Sequence, residues 1–294
     1  MSDMKIYENK NFLYLFFCVI CLTAITLVIH QVLSVPQQVQ ANIDLDEKIQ
    51  IIHAAGEVRD PLSGQIYLGS NSYEGLKQSY EAGHRLIELD FNFTSDGELV
   101  CIHDWYHYYS SAITDNEALS LSEFMKCKIF EQFTPLCLGT LANYLDEHQD
   151  LRIVTDIKER NLDAAKLIAE KYPHLRNQFI IQIYQKDEYE PIRSLGFENI
   201  IFTLYRLEWS EKTDAITLAN FASTHALLGI TFPALLAEYI EINSFIAELK
   251  QAEIPIFVHT VNGIATQANF YDMGVDGVYT DYRFETENIP EEIL

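Results

Sequence analysis

Residues 85–105 read RLIELDFNFTSDGELVCIHDW and hold several chemically capable side chains at short spacing. Glu88 and Asp90 stand two apart in an otherwise apolar run, so strand alternation puts both on one face and Ile87, Leu89 and Phe91 on the other. Two carboxylates buried side by side repel each other and lose hydration, so the pair calls for a positive charge between them. After a turn at Asp96-Gly97 the chain returns to His103 and Asp104. Strands paired around that turn bring His103 nearly opposite Asp90. Two further stretches extend the set: IIHAAG ends an apolar run in His53, and IVTDIKE places Asp156 and Lys158 two apart on one strand face.

Such a set suits reaction at an anionic centre. Hard carboxylate oxygens match Mg²⁺ or Ca²⁺, and a cation held there offsets negative charge and lowers the pKa of a bound hydroxyl. Lys158 adds a second cation, and two histidines on opposite sides of a phosphorus atom suit in-line displacement, one taking a proton and one giving it. Each residue alone also has a plain structural reading. His53 can be a hydrogen-bonded strand histidine, and Glu88 or Asp156 an internal ion-pair partner of Lys158. It is the combination, with each group at a strand end, that points to a site.

The elements that must position these groups alternate between strand and helix. Strand patterns fall at 49–54, 86–93, 99–103, 152–157, 179–184, 199–204, 228–232, 254–261 and 277–280, with helical stretches at 72–82, 141–147, 161–171, 213–223 and 242–251. This order predicts an α/β fold, a somewhat irregular TIM-type (β/α)8 barrel. No glycine-rich phosphate loop follows the first strand, and the polar residues recur at strand C-terminal ends, both of which favour a barrel over an open dinucleotide-binding sheet. The count exceeds eight by one. The connection at 94–98 is too short for a crossover helix, so the strands around it are expected to form a hairpin.

Composition narrows the class. There are 43 Asp plus Glu against 20 Lys plus Arg, a net charge of −23, which argues against a nucleic-acid partner and against broad electrostatic docking on anionic lipid. Residues 12–34 are almost wholly apolar and carry no formal charge, long enough to span a hydrocarbon core of about 30 Å as a helix. Lys5 and Lys10 precede this segment, and Asp44, Asp46 and Glu47 follow it. The positive-inside bias then predicts a single-pass anchor with residues 1–11 cytoplasmic, a linker at 35–47, and the domain at 48–294 periplasmic or extracellular. A cleaved signal peptide is the rival reading, although its apolar region is normally shorter. Cys127 and Cys137, ten residues apart in an exported loop region, are expected to pair if oxidised.

The stretch IELDFNFTSDGELVCIHD, together with IIHAAG, IVTDIKE, TVN and GVDGVYTD, resembles the glycerophosphodiester phosphodiesterase family, related in architecture to phosphatidylinositol phospholipase C and sphingomyelinase D. The resemblance covers residues 51–282. It implies that Glu88, Asp90 and Asp156 bind the divalent cation, that His53 and His103 are the catalytic histidines, and that Lys158 contacts substrate. It also implies a phosphodiester substrate whose neighbouring hydroxyl attacks first, forming a cyclic phosphate that water opens. Two departures stand out. The family's first motif is commonly His-Arg-Gly, where this chain has His53-Ala54-Ala55-Gly56, and its Glu-Asn-Thr appears here as Ser70-Asn71-Ser72. The third metal carboxylate, usually glutamate, is Asp156. The lost arginine suits a second function class, a catalytically silent anchored barrel that binds a phosphorylated lipid or glycan. The retained carboxylates and histidines suit the enzyme.

The topology is directly testable. Protease added to intact cells, with any outer envelope opened, should digest the domain after residue 47 while it stays membrane-attached. A fully protected domain, or a soluble mature protein lacking residues 1 to about 41, would contradict the anchor.

Overall fold

Each long apolar run forms a strand because its alternate residues can be buried on both sides, inside a barrel and under a ring of helices. The computed structural model of the chain describes residues 48–157 and 159–282, so the segments 1–11, 12–34 and 35–47 and Lys158 lie outside the described residues. No helix among the described residues is long and apolar enough to cross a membrane.

In chain order the strands are β1 (Ile49–Ile52), β2 (Val58–Arg59), β3 (Ile66–Tyr67), β4 (Leu86–Phe93), β5 (Leu99–Cys101), β6 (Leu136–Cys137), β7 (Arg152–Ile157), β8 (Phe179–Ile183), β9 (Ile200–Thr203), β10 (Gly229–Pro233), β11 (Ile256–His259) and β12 (Gly277–Thr280). Eight of them run parallel in the order β1-β12-β11-β10-β9-β8-β7-β4, and β4 pairs back with β1 to close the barrel. The surplus strand is β5. It lies antiparallel to β4 around Asp96-Gly97, with Gly97 at φ 83° and Thr94 and Glu98 hydrogen-bonded across the turn. Strand β4 meets β7 along 86–91 on one edge, while its other edge pairs with β1 at Ile87 and with β5 from Phe91 onward. The long β4 therefore serves barrel and hairpin at once.

Ile87, Leu89 and Phe91 face outward into a core shared with the helices Leu138–Glu147, Asn161–Lys171, Ala215–His225 and Ile242–Leu249. A smaller cluster fills the barrel interior: Ile49, Ile51, Val154, Ile180, Ile201, Leu228, Phe257 and Tyr279. A third cluster, with Val58, Val100, Ile102, Tyr109 and Phe124, lies under the loops beside β5. The β2–β3 hairpin lies between β1 and Ser70; its Tyr67 packs on Phe130 and Phe133.

Some boundaries differ from the sequence expectation. The first strand ends at Ile52 because residues 53–55 turn, with Ala54 at φ 49° and Ala55 at φ 68°. The fifth ends at Cys101, and the helix expected at 141–147 begins at Leu138. The cysteine pairing is also corrected: Cys101, Cys127 and Cys137 are all free. Cys127 Sγ lies 3.4 Å from the carbonyl of Glu123, and Cys137 caps a helix with its Sγ 3.5 Å from Thr140 Oγ1, so each thiol is buried against its own local partner.

The interior cluster is tight around the Phe257 ring, against which both Gly229 and Gly277 pack. A Cβ on Gly277 would stand 2.8 Å from Ile49 Cβ and 2.9 Å from the Phe257 ring. At Gly139, in a helix, the nearest atom would be an ordinary 3.5 Å away. Gly277→Ala should therefore cost about 1–3 kcal/mol by overpacking. Gly139→Ala should be neutral or gain up to about 1 kcal/mol from helix propensity. Urea unfolding of the two variants checks the opposite signs; an unaffected Gly277→Ala would show that the barrel floor is loosely packed.

Candidate active site

The interior cluster fixes where the polar residues must go. Ile51, Val154, Ile180, Ile201, Phe257 and Tyr279 face into the barrel. Because side chains repeat every two residues, the next inward positions are His53, Asp156, Gln182, Thr203, His259 and Asp281. Leu86 stands in the same relation to Glu88, which is followed inward by Asp90. Apolar floor thus gives way to a polar layer at the C-terminal end, and a cleft opens there, lined in part by His53, Glu88, Asp156, Tyr205 and His259.

Glu88, Asp90 and Asp156 each place a carboxylate oxygen within 4.8 Å of the others, and all three residues are buried. In the β4–β7 register Asp90 lies directly across from Asp156. Each carboxylate is steered by hydrogen bonds. Glu88 Oε2 accepts the Ala54 N–H at 2.7 Å, while its Oε1 is buried and makes no hydrogen bond among the described residues. Asn71 clamps Asp90 from both sides: Nδ2 donates to Asp90 Oδ2 and Oδ1 accepts the Asp90 N–H, both at 2.9 Å. Asp156 Oδ1 accepts from the hydroxyls of Tyr184 and Tyr205, the latter at 2.8 Å. Burial, then the charge of Asp90, pushes Glu88 up to about 8; His53 opposes this and Asp156 adds to it. A set of hard oxygens that includes the orphaned Oε1 of Glu88, a carboxyl pushed up by burial and by its neighbours' charge, fits a divalent cation such as Mg²⁺ or Ca²⁺.

His53 stands beside this cluster. Its Nε2 is 3.8 Å from Glu88 Oε2, and its Nδ1 is 2.7 Å from Asp281 Oδ1. Asn262 holds the other side of Asp281, donating from Nδ2 to Oδ2 at 2.7 Å. Burial alone would lower the histidine, but the Glu88 charge and the bond to Asp281 outweigh it and raise His53 to about 10. Asp281 itself is pushed up by burial, yet the hydrogen bonds from His53 and Asn262 hold it below the usual carboxylate range.

His103 is placed differently. Ile102, not His103, lies opposite Asp90, with its N–H 3.1 Å from the Asp90 carbonyl and its side chain in the third cluster. His103 follows at a bend, half-exposed, outside the residues that line the cleft, and its Nδ1 is 2.7 Å from Asp104 Oδ2. The fold therefore gathers Glu88, Asp90, Asp156 and His53 around one point and leaves His103 on a neighbouring loop. His259 lines the cleft edge-on to Tyr205 and Tyr279, and Trp105 packs on Phe124. Asp281, Asn71, Tyr184 and Tyr205 are working members of the cluster that spacing alone did not single out. For Asp281, the inward position two residues beyond Tyr279 is the signal that marks it.

A sequence model of the glycerophosphoryl diester phosphodiesterase family matches residues 62–283. No curated protein matches the chain. Among solved structures, a glycerophosphodiester phosphodiesterase from Thermotoga maritima is 19% identical, with a TM-score of 0.61, covering 81% of this chain and 96% of that one. A glycerophosphodiester phosphodiesterase from Parabacteroides distasonis is 18% identical, with a TM-score of 0.60 and coverages of 80% and 94%. An Oleispira antarctica phosphodiesterase, solved with the product sn-glycerol-3-phosphate, is 15% identical, with a TM-score of 0.59 and coverages of 80% and 93%. At these identities the structural likeness speaks for the fold, and the family match over most of the chain speaks for kinship. The chain belongs to the glycerophosphoryl diester phosphodiesterase family, and with it to the phosphoric diester hydrolases.

Proposed function

We propose that the chain hydrolyses glycerophosphodiesters, or related lipid- or glycan-derived phosphodiesters, by histidine acid–base catalysis beside a divalent cation held by Glu88, Asp90 and Asp156. The observation that carries this reading is the convergence of three buried carboxylates next to a histidine that a fourth carboxylate orients. The cation, Mg²⁺ or Ca²⁺, would supply charge neutralisation at the phosphate and a lowered pKa for a bound hydroxyl. The Oleispira antarctica relative, bound to sn-glycerol-3-phosphate, supports a glycerophosphate moiety in the substrate. The apolar segment at 12–34 would hold the domain at the membrane, outside the cytoplasm.

The histidines share one arrangement. In both His53 and His103, Nδ1 lies 2.7 Å from an aspartate oxygen, Asp281 in one case and Asp104 in the other. An Nδ1–H donated to carboxylate leaves Nε2 as the atom that exchanges protons with substrate. One Nε2 takes the proton of the attacking hydroxyl as its oxygen bonds to phosphorus. The other gives a proton to the alkoxide as the bond from phosphorus to the leaving oxygen breaks. Lys158, two residues past Asp156, is assigned to the phosphate oxygens.

Separating the two kinds of residue tests the reading. Asp90→Asn should abolish cation binding and turnover together. His53→Ala and His103→Ala should retain cation binding, read by calorimetry, while losing about 10²–10⁴-fold in kcat. Turnover of a panel of glycerophosphodiesters, with product analysis, identifies the alcohol released. Full activity in excess chelator would defeat the metal assignment, and normal turnover by His103→Ala would remove that residue from the mechanism.

A further inference from the structure

The cleft has an electrostatic problem as an anion site. The described residues that line it include two of the three clustered carboxylates and no lysine or arginine. At the end of β1 the position after His53 is Ala54, which contributes only its N–H, and that is given to Glu88. An incoming phosphodiester carries negative charge, so a cation at the rim in addition to Lys158 has work to do.

Arg206 is placed to do it. It follows Tyr205 just beyond β9, at the same C-terminal end of the barrel as the cleft. Its guanidinium carbon lies 4.6 Å from the centre of the Tyr184 ring and 5.7 Å from that of Tyr205. Those are the two tyrosines whose hydroxyls both donate to Asp156 Oδ1. The rings thus form a platform that touches a clustered carboxylate at its hydroxyl end and carries a cation on its face. Stacking occupies one face of the guanidinium and leaves its N–H edge available. Among the described residues Arg206 makes no ion pair, and none of them accepts a hydrogen bond from it.

We propose that Arg206 is a substrate-binding residue, a planar donor fork that contacts the phosphate oxygens of the diester from the β9 side of the barrel mouth. A guanidinium edge matches two phosphate oxygens at once, which a lysine ammonium does not. The proposal rests on the phosphodiesterase reading above, and it assigns phosphate recognition to a strand on the far side of the barrel from Ala54.

The test titrates the full chain with sn-glycerol 3-phosphate in the presence of Mg²⁺ and runs diester kinetics in parallel. Arg206→Ala should weaken binding of that phosphate by about tenfold or more, the usual worth of a charge-assisted hydrogen bond. It should raise KM similarly while kcat changes by less than about threefold, as loss of uniform binding does. Arg206→Lys should recover only part of the affinity. Arg206→Leu separates this role from a merely structural one. If the side chain only covers the tyrosines, leucine restores both the melting temperature and the affinity; if it binds phosphate, leucine is as deficient as alanine. Unchanged phosphate affinity in Arg206→Ala, full rescue by leucine, or absence of phosphate binding by the wild type would each overturn the proposal. A wild type that binds the phosphate and hydrolyses no diester would overturn the activity reading alone, and the titrations would still decide the role of Arg206.

Discussion

The arrangement depends on three negative charges being held together in a place that water does not reach freely. Glu88, Asp90 and Asp156 lie within 4.8 Å of one another and are all buried. Burial and mutual repulsion both disfavour that state, and they push Glu88 upward. Much of the local hydrogen bonding is directed at it. Asn71 holds Asp90, the Ala54 N–H holds Glu88, and two tyrosines hold Asp156. Donors of this kind orient the carboxylates but do not neutralise them, and a cation held among them would complete the balance.

The barrel makes such a concentration of charge tolerable. Its interior is stacked in layers two residues apart, so a floor of Ile, Val, Phe and Tyr side chains lies directly beneath the polar layer. The floor supplies the apolar burial, and the strand ends supply the chemistry with no change of backbone direction. Strand β4 departs from this simple scheme. By extending beyond the barrel and folding back through Asp96-Gly97, it carries the chain from the carboxylate pair to the His103 loop within one hairpin.

Local pattern was enough to read the strands. The runs at Leu86–Phe93, Arg152–Ile157 and Gly277–Thr280 have the bounds that alternation suggests, because nothing in them competes with extended backbone. The spare strand was also legible, since five residues at 94–98 cannot hold a crossover helix. Contacts created by barrel closure were not. His53 and Asp281 are 228 residues apart and meet only because β1 pairs with β12. Tyr184 and Tyr205 reach Asp156 from strands β8 and β9, and an isolated tyrosine near a strand end carries no mark of that role. The cysteine expectation failed for a related reason: spacing says nothing of the partners that Cys127 and Cys137 find nearby in Glu123 and Thr140. The register around the hairpin was nearly but not fully readable, with Ile102 taking the place opposite Asp90 and His103 coming one residue later.

The central claim is that the carboxylate cluster exists to hold one divalent cation. Anomalous diffraction from crystals grown with Mn²⁺ in place of Mg²⁺ or Ca²⁺ tests it most directly. The account predicts a single strong peak within about 2.0–2.6 Å of an oxygen from each of Glu88, Asp90 and Asp156, with His53 outside the coordination sphere. A peak elsewhere, or no peak with the three carboxylates still packed together, would contradict it.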